Sequence, residues 1–95
     1  MLDKTKIPPP AKAGIDLYVS DGVSPGGFLT SVLENDLMGA FSKADLNNQR
    51  ALGHIAAYLF NDVPSGVYGS PEKVRRHLST FVGHFHRGTP VRNKN

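Results

Sequence analysis

Ser24-Pro25-Gly26-Gly27 places a hydroxyl and two glycine amides at the expected start of a helix, where unsatisfied N–H groups and the helix dipole attract an anion. A phosphate is the ligand this chemistry suits, and the adjacent glycines would let it reach the backbone. The competing use of those glycines is close packing of the first two helices at a tight turn. Tyr18, one helix earlier, and Tyr68, in a later connector, are rings that could stack on a base if the ligand is a nucleotide. Such tyrosines more commonly bury the ring and expose the hydroxyl. Arg75 and Arg76 on the last helix supply cations, so the candidate ligand-binding set is Tyr18, Ser24, Gly26, Gly27, Tyr68, Arg75 and Arg76.

His77, His84 and His86 invite a metal test, because the first two are seven residues apart and share a helical face. Imidazole suits Zn, Ni or Cu, but cysteine is absent, carboxylates are missing nearby, and the flanking charge is positive. Solvated histidines are the better reading, and no metal is expected. Catalysis is disfavoured on similar grounds. The chain has no Gly-rich triphosphate loop, no Gly-x-Ser-x-Gly elbow and no His-Glu-x-x-His pair. Carboxylates such as Asp16, Asp21, Glu34, Asp36, Asp45 and Asp62 are scattered singly, so a paired-carboxylate mechanism would need tertiary convergence. Neither an enzyme nor a cofactor is expected.

Charge separates the two halves. Residues 1–47 carry four lysines against six carboxylates, whereas 48–95 carry seven basic groups against Asp62 and Glu72. Lys73, Arg75, Arg76, Arg87, Arg92 and Lys94 could follow a nucleic-acid backbone or dock on an acidic protein. No helix-turn-helix or finger pattern accompanies them, so the case for nucleic acid is charge alone.

The elements that must position these groups are helical. Ala11, Ile15, Tyr18 and Val19 form one face of a first helix, and Gly22 is placed to end it. A second helix is predicted over 24–44, opened by Ser24 as cap and Pro25 at the first position, and carrying Phe28, Leu29, Val32, Leu33, Leu37, Ala40 and Phe41. Asp36 interrupts its apolar face and needs a cap or salt-bridge partner. A third helix runs over 47–62, with Leu52, Ile55 and Leu59 inward, and a fourth begins at Ser70-Pro71-Glu72 with Val74, Leu78, Phe81, Val82 and Phe85 as its stripe.

The expected fold is all-α, three to four helices around a central antiparallel hairpin of 24–44 with 47–62. An extended arm is expected over 1–10, a single helical domain over 11–87, and a basic flexible tail over 88–95. Its core should draw on Phe28, Leu29, Val32, Leu33, Leu37, Phe41, Leu52, Ile55, Leu59, Val74, Leu78 and Phe81. Ninety-five residues without a cysteine give a small core and no disulfide, so self-association into a homo-oligomer is expected. No apolar run is long enough to span a membrane and no signal-peptide pattern opens the chain, so a cytoplasmic protein is expected.

Pro25-Gly26-Gly27-Phe28-Leu29, Val32-Leu33, Asn35-Asp36-Leu37, Ala44-Asp45, Asn48 and Tyr68-Gly69-Ser70-Pro71 resemble short uncharacterised proteins of phage and prophage accessory regions, over residues 23–78. The resemblance brings no active site to carry over. It implies a non-catalytic accessory role in a host cell. That role is counter-defence by sequestering a phosphate-bearing small molecule such as a signalling nucleotide, or inhibition of a host protein complex through a basic face. Nonspecific nucleic-acid binding is the remaining reading.

Overall fold

The three prolines at 8–10 start the first helix rather than extend the arm. In the computed structural model, which describes residues 4–88 and the side chains of 5–81, α1 spans Pro9–Asp21. Pro9 and Pro10 occupy its first positions, where a missing N–H costs no hydrogen bond, and the Pro8 carbonyl accepts from the Ala11 and Lys12 amides. Gly22 ends α1 as expected, with φ of 66°. The extended arm predicted over 1–10 does not form over its described part: Lys4–Lys6 forms a 3-10 turn against the helix Leu46–Asp62, and Ile7 is already buried.

The helix predicted over 24–44 is two helices, α2 (Gly27–Leu33) and α3 (Leu37–Lys43). Ser24 and Pro25 precede the first of them, whose cap is Gly26. Asn35 breaks the run in the left-handed region (φ 66°), a conformation its short polar side chain tolerates. Asp36 then starts α3, its Oδ1 accepting the Gly39 amide at 3.0 Å, which is the capping role its interruption of the apolar face suggested. The break resets the helical register. Leu29 and Leu33 point inward, whereas Leu37 and Phe41, which would follow them at four-residue spacing on one helix, are exposed, and Ala40 is buried instead. Both belonged to the predicted core and neither is in it.

Asp45 caps α4 (Leu46–Asp62), accepting from the Asn48 amide at 2.8 Å. A second 3-10 turn, Ser65–Val67, leads to α5 (Pro71–Gly88), where Ser70 Oγ accepts from the Lys73 amide. The described residues thus form five α-helices and no strand, and the expected pair of long helices does not form as such. The core joins Ile7, the α1 stripe Ala11, Ile15 and Tyr18, Leu29 and Leu33 of α2, the α4 stripe Ala51, Ile55 and Leu59, then Val63 and Val74. Phe28, Val32 and Leu78 pack at its edge, Leu52 and Phe81 are half-buried, and the predicted positions Val82 and Phe85 lie outside the described side chains.

Close helix packing comes at a different glycine from those predicted. A Cβ on Gly14 would lie 2.7 Å from Leu29 Cδ1, so α1 and α2 approach there. Gly26 has nothing within 4 Å, and Gly27 meets only the Lys43 side chain. Among the described residues, no helix is long and apolar enough to cross a membrane.

Candidate functional site

The break between α2 and α3 opens a groove. After Asn35 and Asp36 the chain turns, and the connector behind α4 returns to the same place because the Gly69 amide donates to the Leu33 carbonyl at 2.7 Å. Gly69 holds φ of 115° to do so, a conformation open to glycine and strained for other residues. Between these segments and α4 lies a cavity of about 440 Å³. Its walls are Val32 from α2, Leu37 and Ala40 from α3, Leu52, Ala56 and Leu59 from α4, and Tyr68 from the connector. Gly53 and Gly69 expose backbone, and Asn35 and Asp36 give one amide and one carboxylate. No cationic side chain lines it among the described residues.

An exposed apolar surface continues from the groove. Leu37, Met38 and Phe41 on α3 are 65%, 74% and 49% exposed, and Phe60, on the α4 face of Gly53 and Ala56, is 80% exposed. Large side chains clustered in this way beside a cavity mark an interaction surface more often than a solvated face.

The predicted ligand-binding residues are not gathered here. Tyr18 is fully buried in the core, and its hydroxyl donates to the Val67 carbonyl at 2.7 Å, so no face of the ring is open to a base. Burial, with a smaller contribution from Glu34, pushes its pKa up to about 12. Ser24, Gly26 and Gly27 are exposed, but they stand before or at the start of a helix of only seven residues, too short for much of a dipole. Arg75 and Arg76 are exposed on α5. Of the set, Tyr68 alone lines the groove.

Two clusters with the residue types of catalysis are tied into the fold. His77 Nε2 lies 2.8 Å from the Tyr18 carbonyl, an acceptor, so that nitrogen donates, and the ring sits between Tyr18 and Phe81. The arrangement fastens α5 to the end of α1. Tyr58 donates to Asp16, which also pairs with Lys12 at 2.8 Å, linking α4 to α1. The bond to Asp16 raises the Tyr58 pKa, with burial adding to it, and the same carboxylate raises that of Lys12. A hydroxyl made less acidic is a poor nucleophile at neutral pH. No group of metal-ligating side chains occurs among the described residues, and the predicted His84 and His86 lie outside the described side chains. So do Arg87, Arg92 and Lys94, and with them the basic tail.

The groove was missed because each of its signals reads first as local structure. Asn35-Asp36 followed by Gly39 announces a helix break and restart, and that break is what leaves Leu37 and Phe41 uncovered. No family model matches the chain, and no curated protein or solved structure does either.

Proposed function

We propose that this chain is a non-catalytic binding protein that takes an apolar segment of a partner protein into the groove between α3 and α4. The observation that carries this reading is the cavity's chemistry, apolar on most sides with Asp36 as its one charged lining residue. An aliphatic or aromatic side chain fills such a space, and a neighbouring Lys or Arg on the partner meets Asp36. A phosphate does not suit it, since a carboxylate and an anion repel. The contact surface is thus apolar and acidic rather than the basic face of α5.

Val32, Asn35, Asp36, Leu37, Tyr68 and Gly69 line the groove and also lie in the stretches that carry the resemblance to phage accessory proteins. That coincidence supports a host protein as the partner and inhibition as the consequence.

Selection of a random peptide library on the immobilised chain tests the proposal. Enriched peptides should combine a large apolar residue with a nearby Lys or Arg. They should bind Ala56→Leu, which fills the groove, and Asp36→Asn more weakly than the wild type. Failure to enrich, or equal binding to both variants, overturns it. So would a concentration-dependent homodimer that Ala56→Leu abolishes, because the occupant would then be a second copy of the chain.

A further inference from the structure

The N-terminal turn and the first half of α4 border a second, open hollow, of about 490 Å³, on α4's other flank. Asn47, Arg50, Ala51 and His54 lie at i, i+3, i+4 and i+7, one face of the helix. Thr5 and Lys6 reach the same space from the turn, which Ile7 anchors by burying its side chain in the core. Pro8 and Pro9 form an apolar wall.

The charge here is one-signed. No carboxylate lines the hollow among the described residues, and neither Lys6 nor Arg50 takes part in an ion pair among them. Two permanent cations facing one concavity repel one another, and an anion held between them relieves that repulsion while gaining charge-assisted hydrogen bonds. Arg50 offers the planar fork that meets two phosphate oxygens together, Lys6 a point charge from the opposite wall, and Asn47 a neutral donor.

We infer that this hollow binds the phosphate of a small phosphate-bearing molecule, a mononucleotide in size, with Lys6 and Arg50 as its principal ligands. Its apolar wall of proline rings accommodates a base or ribose beside the phosphate. The site is independent of the α3–α4 groove and stands whether or not that groove takes a protein.

Titration of the full chain with AMP, followed by NMR of the Arg50 Nε–H and the Asn47 side-chain amide, tests the inference. The expected result is saturable shifts at both, with Kd about 1 mM or tighter. Adenosine should give none, and inorganic phosphate should compete. Arg50→Glu should weaken binding about tenfold or more, the loss of one charge-assisted contact, while Arg75→Glu, the same change of charge on α5, leaves it within about twofold. Circular dichroism of both variants establishes that the helices persist. Equal weakening by the two variants would reduce the effect to net charge and overturn the site, as would the absence of saturable shifts at Arg50. Tighter, steeply salt-dependent binding of oligothymidylate than of AMP would also overturn it, in favour of a nucleic-acid surface.

Discussion

The Asp36 carboxylate occupies the space that a side chain on Gly39 would need, and it does so because its Oδ1 accepts the Gly39 amide at 3.0 Å. Cap and glycine are one device, and it fixes Asp36 in the lining of the groove.

Asp36→Ala should therefore cost about 1 kcal/mol, the usual worth of an N-cap, in a urea titration. Asp36→Asn should keep most of that stability while removing the charge. Gly39→Ala should change stability by less than about 1 kcal/mol, since alanine's helix preference offsets the displaced cap. The displaced cap should show instead as faster hydrogen exchange at residue 39.

Gly22 is under two constraints at once, a left-handed backbone and the Phe81 ring standing where its Cβ would go. Gly22→Ala should cost at least about 2 kcal/mol, of which the backbone alone supplies roughly 1 to 2. Placed on a Phe81→Ala background, the same substitution should cost only the backbone share, and a double-mutant cycle from thermal melts measures the difference.

Tyr18 makes stability fall in alkali. Its folded pKa of about 12 stands above the ordinary 10.0, so the folded chain holds the phenolic proton more tightly than the unfolded one. The stabilisation is fully present below pH 10 and is lost as pH rises from about 10 to about 12, to the extent of roughly 3 kcal/mol. Tyr58, raised by its bond to Asp16, acts in the same direction. Tyr18→Phe should be about 1 kcal/mol less stable at neutral pH and should show a shallower decline across that window, read by denaturant titration at several pH values.

Ile15 and Leu37 are both large aliphatic residues on predicted helix faces, yet the first is wholly buried and the second 65% exposed. Ile15→Ala should cost about 2 to 5 kcal/mol, through lost burial and the cavity left behind. Leu37→Ala should stay within about 0.5 kcal/mol in the same assay and, if the groove binds as proposed, should weaken peptide binding.

Much of the helical content was legible in local chemistry. Gly22 and Ser70-Pro71 act as stop and start signals where expected, because each effect depends on residues within one turn. The exception was the run from 24 to 44. Its apolar spacing is continuous through Asn35, and spacing cannot show that one residue takes a positive φ. That single dihedral moved Leu37 and Phe41 from core to surface and made the groove.

The ligand-binding residues were less legible for a different reason. An aromatic ring suggests stacking at Tyr18, but whether that ring is open depends on Val67 and His77, far along the chain. Lys6, Arg50 and His54 were invisible as a group because the arm's docking on α4 is a tertiary event. The basic C-terminal third drew attention to α5, while the one-signed hollow formed between residues 5 and 54.

Tyr18 also bears on the order in which the chain can finish folding. Its hydroxyl partner lies 49 residues onward and the imidazole on its carbonyl 59. Both loops must close before the first helix has its full set of contacts, and loop closure is the slow, entropically costly part of forming distant contacts. During synthesis the first four helices can leave the ribosome with Tyr18 still lacking both of these contacts. The second arrives with residue 77, so early stalling would yield a chain with most of its helices and an incomplete core.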